Sequence, residues 1–383
     1  MSNKNANPAS IDKEKISRVV KAMLQTPTPE NSQPWTIVAC DHILEIFHSS
    51  ERAKLATFPD DLSVFGIGML VETLELVCSN EGLEAQTTLL LENRSDEAPW
   101  LRVELTPVER RPDPLGQAIF LRHTDRRHYA AGSLNDPIFQ NVRREGKASQ
   151  GSNLYFINEY PDEYLQLLRN ADQKVMEWDE LRHDLMNWTR FTNKAIAETK
   201  DGMPWRSFLR ESENWVYYLR SRVWWLATCL DWFPDWLQRL ETRFFDDSSE
   251  LSPLSYDDGA GIGCITTMSA SEEDLVASGR LTLRIWLLLN MNGYGFQPLS
   301  NLSSTIYPLQ TGRLNLPKHL AHLVENGYEI LQRVFGFSKQ ETPIFCFRTG
   351  VAKGEYPENA RSLRRVNEMT FKKNLEQREV HAL

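Results

Sequence analysis

Apolar residues recur along this chain with helical or strand periods, and the switches between them mark its elements. In "SIDKEKISRVVKAML" (residues 10–24), Ile16, Val19, Val20 and Met23 form one helical stripe. Acids fill its first turn and Ser10 is placed to cap it. Pro27 and Pro29 end the helix. "WTIVAC" and "ILEIFH" read as strands joined at Asp41-His42. A long helix follows in "DDLSVFGIGMLVETLELVCSNEG", capped by Asp60 or Asp61, with Val64, Gly68, Val71, Leu74 and Val77 on one face. Gly82 closes it, and strands are expected at "TTLLLE" and "LRVELTPV".

A second unit begins near Pro114, with "PLGQAIFLRH" as helix and "LYFIN" as strand. Its long helix, "SEEDLVASGRLTLRIWLLLNMNG", carries a capping box at Ser271 and Asp274 and stops at Gly293. "KHLAHLVENGYEILQRVFG" reads as a helix interrupted at Gly327, and "PIFCFRTGV" as a strand. The order helix, strand, long glycine-containing helix, strand recurs loosely in both units.

Between the units lies an insert spanning about residues 165–265. Five tryptophans fall between Trp215 and Trp236. This stretch is open to three readings: a buried helical hairpin, a lid or aromatic wall over a flat ligand, or an interfacial membrane helix, for which its basic face is poor.

Composition narrows the class. A chain of 383 residues, 41% hydrophobic and 25% charged, can bury a large core, as two fused units or one large domain. A net charge of −9 argues against general nucleic-acid affinity, which needs a basic face. The five cysteines are odd in number and form no CxxC, as expected of a reducing, cytoplasmic setting. The polar start "MSNKNANPAS" does not read as a signal peptide. No apolar run is expected to reach the roughly 18–20 residues that span a bilayer, since "VWWLATCLDWF" is broken by Asp231.

The candidate chemistry is cationic and amidic. "LRHTDRRHY" (residues 121–129) packs three arginines, two histidines and a threonine into nine residues. In a continuing helix Arg122 and Arg126 would share a face with Thr124 between them, and two guanidiniums with a hydroxyl can wrap a phosphate. The alternative is a salt-bridge network with the chain's many acids. A second cluster, Arg361, Arg364 and Arg365, follows a strand bearing Arg348 and reads either as closing on the same anion or as a solvated tail. Asn31 and Gln33, between prolines in "TPTPENSQPW", suit the edge of a flat heterocycle or a plain turn in which both bond to backbone. No metal site is expected, and no nucleophile elbow, phosphate loop or dinucleotide fingerprint appears.

"TPTPENSQPW" resembles the A-P-S-x-x-N-x-Q-P-W motif of nitroreductase-like flavoproteins, and "LRHTDRRHY" is similar to their R-R-S-x-R phosphate-binding start. Thr26, Thr28 and His123 depart from those patterns. "SGRLTLRIWLLLNMNGYGFQPLSN" looks like the family's second-half helix running into a Gln-Pro loop, and "FCFRTGVAKGEYPENARSLRR" like its closing strand. The resemblance is to the long, internally duplicated branch, the Acg-type FMN-binding proteins. It implies an α+β fold, an antiparallel sheet flanked by helices, in two pseudo-repeated halves that resemble a fused nitroreductase dimer. The halves would be residues 1–112, the degenerate one, and 113–383.

By the same resemblance one FMN per chain would be held by Arg122, Thr124 and Arg126, by Asn31 and Gln33, by Gln297 and Pro298, and by Arg364 or Arg365. The implied activity is FMN-dependent hydride transfer to or from a small planar or natural-product substrate. NADPH or NADH is the implied donor, no nucleic acid or membrane partner is implied, and the chain would be a monomer or homodimer. The rival reading is a flavin-sequestering protein without turnover.

Overall fold

A computed structural model describes residues 11–53, 61–133, 135–177, 184–185, 187–208, 256–269, 271–356, 359–365 and 369–371. The tryptophan-rich stretch 215–236, and with it the choice among hairpin, lid and interfacial helix, lies outside the described residues, as do Ser10 and Asp60.

The first unit runs α1 (Lys13–Met23), β1 (Trp35–Cys40), β2 (Ile43–His48), α2 (Asp61–Glu81), β3 (Leu83–Leu89) and β4 (Pro99–Pro107). The cap of α1 is Asp12 rather than Ser10: its carboxylate accepts the Glu14 N–H at 3.0 Å, which satisfies a first-turn donor. Asp41, with φ of 51°, makes the tight turn between β1 and β2. β3 begins before "TTLLLE", because Leu83–Leu89 pairs residue for residue with the strand that follows it. These four strands are antiparallel in the order β1-β2-β4-β3.

The second unit continues with α3 (Leu115–Ala118), β5 (Tyr129–Ala130), α4 (Pro137–Ala148), β6 (Ser152–Ile157), α5 (Asp162–Glu177), β7 (Thr189–Arg190), α6 (Asn193–Thr199), β8 (Met203–Pro204), β9 (Gly261–Thr267), α7 (Glu272–Met291), β10 (Tyr294–Pro298), α8 (Ser303–Gln310), α9 (Lys318–Phe335) and β11 (Thr342–Ala352). Its main sheet has the order β6-β9-β11-β10, also antiparallel, with β5 added against β11. Each sheet thus has two strands before a long helix and two after it, joined in the same order. A last strand, β12 (Met369–Phe371), returns to the first sheet and pairs in parallel with β1.

The α+β class with antiparallel sheets is what the strand pairings show. α7 is capped as its sequence indicates, Ser271 accepting the Asp274 N–H at 3.2 Å. Two helices differ from expectation. "PLGQAIFLRH" yields only the single turn α3, because the next residues peel away and Asp125 donates its N–H to the Phe296 carbonyl on β10. α9 runs unbroken through Gly327, which is small for packing reasons: a Cβ there would meet the Leu302 side chain.

α2 is a helix of 21 residues that, although Glu72 and Glu75 interrupt its apolar run, is long and apolar enough in composition to cross a membrane. The structure buries it instead at the centre, packed lengthwise on α7. The two helices cross where Gly68 faces Val276 and Gly279 faces Phe65, so close that neither glycine has room for a Cβ. Beside the crossing, buried Glu72 accepts from Arg280 at 3.2 Å and from Arg284 at 2.6 Å. Arg284 also reaches Glu145 at 2.7 Å and Asp113 at 3.3 Å, so one guanidinium ties both units together; burial pulls its pKa down, but Glu72 and Glu145 outweigh it and push it up.

The second sheet is covered on both faces. Ile265, Phe345 and Phe347 point into the core shared with α2 and α7, while Ile262, Cys264 and Cys346 point to a second core under α5, α8 and α9. Strand alternation explains why β9 is buried along its whole length, whereas β2 alternates buried and half-buried positions.

Candidate functional site

The candidate site is built on the turn between α1 and β1. Glu30, Asn31 and Gln33 all have left-handed backbone, with φ of 46°, 56° and 50°. Each such residue other than glycine costs on the order of 1 kcal/mol, so the turn needs outside support. Its own amides supply it. Asn31 Nδ2 donates to the Gly202 and Leu363 carbonyls, both at 2.9 Å, and its Oδ1 accepts from Arg364. Gln33 Nε2 donates to the Lys200 carbonyl at 2.9 Å and to the Asn31 carbonyl at 3.3 Å, and its Oε1 accepts the Arg365 N–H at 2.8 Å. Of the two readings of these amides, the structure displays the one in which they bond to protein. They clip together the turn, the loop after α6 and the C-terminal segment. Asn31→Ala should therefore cost about 2 kcal/mol, by removing the amide donor to the Gly202 and Leu363 carbonyls and the acceptor of Arg364. Chemical denaturation would measure it, with faster proteolysis of the C-terminal segment as a second sign.

The basic knot at 121–129 is extended rather than helical, so Arg122 and Arg126 do not share a helix face. They serve different surroundings. Arg127 pairs with buried Asp125 at 2.7 Å, as the salt-bridge reading has it. Arg122 has no such partner. It is buried, lies over the Trp286 ring at 4.5 Å and donates to the Gln25 carbonyl at 3.2 Å. Burial pushes its pKa well down, and Arg364 and Arg361 push it the same way. Arg364 is pushed down to about 10 by burial and then by Arg361, and its buried Nε makes no hydrogen bond. Among the described residues no carboxylate forms an ion pair with Arg122, Arg361 or Arg364.

Arg126 donates to the Ser207 carbonyl and hydroxyl, both at 3.5 Å, and faces Glu30, Tyr256 and Tyr356. Tyr356 stands between the two arginines: its hydroxyl donates to the Thr124 carbonyl at 3.1 Å, and its ring meets His123 edge-on at 4.5 Å. The Thr124 hydroxyl has no partner among the described residues.

Three residues from the sequence reading are committed elsewhere. Arg365 holds the turn through the Ser32 and Gln33 carbonyls at 2.8 and 2.9 Å and faces Asp201 at 3.7 Å. Arg348, fully buried, donates to Gln297 Oε1 at 2.7 Å, to the Arg127 carbonyl at 2.8 Å and to Asp258. It therefore braces the back of the 122–128 loop, and Gln297 is its cross-strand partner rather than a free edge. Pro298 ends β10 beside them.

The sequence reading passed over Glu30, Tyr356 and Ser207. Glu30 sat inside the quoted motif, but its left-handed backbone and its approach to Arg126 leave no mark in composition or spacing.

No family profile and no curated protein matches this sequence. Solved structures with a coarse likeness include a nitroreductase with bound FMN from Desulfitobacterium hafniense DCB-2. It has 10% identity, a TM-score of 0.34, and covers 64% of this chain and 93% of its own. An FMN-dependent nitroreductase from Clostridium difficile R20291 has 12% identity, a TM-score of 0.32, and covers 65% and 96%. The FMN and NADPH-dependent nitroreductase NfnB from sphigopyxis sp. strain HMH has 9% identity, a TM-score of 0.30, and covers 63% and 89%.

Proposed function

We propose that this chain is an FMN-dependent oxidoreductase that carries hydride between a nicotinamide donor and a small planar or natural-product substrate. The observation that carries the reading is the crowding of Arg122, Arg361 and Arg364, with which no carboxylate among the described residues forms an ion pair. Like charges repel, and burial further penalises Arg122 and Arg364, while Arg361 repels them from an exposed position. A phosphate dianion turns that cost into attraction, and guanidiniums match its oxygens with paired donors.

The fit is to the phosphate end of the cofactor. Arg122 and Arg364 would hold the phosphate, with Arg361 adding charge from the rim. Asn31 and Gln33 act one step back, by fixing the turn and by orienting Arg364 through Asn31 Oδ1. Tyr356 and Arg126 continue the surface away from the arginine cluster. When bound, FMN would supply the hydride chemistry. The same reading takes the two units as duplicated halves with one cofactor per chain; their shared strand order supports it, as does the lack of a matching arginine pair in α1.

The test compares FMN with riboflavin. Arg122→Ala combined with Arg364→Ala should weaken FMN binding at least about a hundredfold, while riboflavin, which has no phosphate, binds the variant as it binds the parent. Equal affinity of the parent for FMN and riboflavin would sink the phosphate role. Bleaching of the bound flavin by NADPH under anaerobic conditions separates the oxidoreductase from a protein that only sequesters flavin.

A further inference from the structure

Glu30 is an acid drawn into this cationic surface, and its position is costly. Its backbone sits at φ 46°, and its buried Oε2 makes no hydrogen bond. The charged groups facing it are Arg126, from the loop after α3, and Asp184, from the segment before β7. Arg126 is oriented by Ser207, yet Glu30 and Arg126 form no ion pair within 4 Å. A carboxyl with a buried oxygen left without a hydrogen-bond partner, and an arginine near but not bonded to it, is arranged to meet something that arrives.

Resting on the flavin reading, we infer that Glu30 is the proton donor to the acceptor bound beside Arg126. Two-electron reduction of a quinone or nitro group needs a hydride, delivered from the reduced cofactor, and a proton on the acceptor oxygen. Glu30 gives that proton from its carboxyl and becomes the carboxylate. The acceptor leaves as the hydroquinone, or as the nitroso compound plus water; in either case one hydride and this one proton complete the balance. Glu30 then regains its proton from water, and the nicotinamide donor restores the reduced cofactor. Arg126 stabilises the transient carboxylate and the negative charge building on the acceptor.

The carboxyl is suited to this. Burial, opposed by Arg126 and aided by Asp184, raises its pKa to about 7, so it holds its proton at neutral pH and can release it. The acid form is the working one, so the rate should fall as pH rises through that value.

The experiment uses the FMN-loaded full chain, reduced anaerobically and then mixed with p-benzoquinone across the neutral pH range. The parent should lose rate about tenfold per pH unit above neutrality. Its oxidised flavin spectrum should also shift over the same range, as a charge appears nearby. Glu30→Gln should be slower at neutral pH, flat with pH in rate, and flat in the spectral titration. Glu30→Asp, which keeps a carboxyl on the turn, should retain the pH limb. The same limb and spectral shift in Glu30→Gln, or neither in the parent, would overturn the proton-donor role while leaving FMN binding intact. A parent that retains no FMN fails at the loading step, which overturns the flavin reading and this inference with it.

Discussion

Gly279→Ala is expected to destabilise the protein by at least about 3 kcal/mol, the largest effect of any single methyl group added here. An alanine Cβ at this position would strike the Phe65 carbonyl oxygen and press on the Gly68 backbone. Both obstacles are main chain, so no side-chain rotation relieves them. Two long core helices must move apart, and the Arg280 and Arg284 bonds to Glu72 must stretch with them. Gly68→Ala meets the Val276 carbonyl from the other side and should cost a similar amount. The double variant should cost clearly less than the sum, because helices already parted by one methyl accept the second cheaply. Urea denaturation measures all three. Gly336→Ala is the control: its φ is 71° but nothing lies within 4 Å of the new Cβ, so only the conformational cost of about 1 kcal/mol remains. Equal losses at Gly279 and Gly336 would refute the close crossing.

Arg348→Met should cost about 3–5 kcal/mol and weaken FMN binding without touching the cofactor. Arg348 is fully buried over the Tyr129 ring at 4.2 Å. Methionine fills much of its volume but strands the buried Gln297 amide oxygen and the Arg127 carbonyl. The Asp258 carboxylate loses its guanidinium but is partly exposed and keeps His128 at 2.6 Å, so the stranded neutral acceptors carry most of the cost. Arg348→Lys should recover only part of the stability, because an ammonium cannot address partners spread around a planar fork. Arg348 also holds the loop that carries Arg122 and Arg126, so the Met variant should lose FMN affinity, and riboflavin affinity should fall with it. Loss of FMN affinity alone would instead place Arg348 at the phosphate.

These two sites show where the sequence was readable. Gly68 was placed on the inner face of its helix by spacing alone, and the Ser271 cap and the strands "WTIVAC" and "ILEIFH" emerged with their expected residues. Such features depend on a few neighbouring residues. On α2, composition alone would admit a membrane helix, because apolar content measures burial without saying in what; the structure packs it on α7. The helical reading of "LRHTDRRHY" failed because a single contact made far along the chain, Asp125 to Phe296, outweighs local preference.

The sequence by itself determined the long helices α2 and α7, the first two strands and the presence of too many arginines for one acidic chain's loop and tail, while the α+β class was implied by the family resemblance. It also marked the Asn31–Gln33 turn as special. Only the tertiary structure decided which arginines face an acid and which face each other: Arg127 meets Asp125, Arg365 faces Asp201, Arg348 meets Asp258, and Arg122 and Arg364 are left together. Only the structure turned Asn31 and Gln33 into clamps and exposed Glu30 to Arg126. The reason is physical. Periodicity and caps follow from hydrogen bonds and burial within about one helical turn or strand pair, whereas charge partnership is a property of space, set between residues more than two hundred positions apart along the chain, such as Arg122 and Arg364.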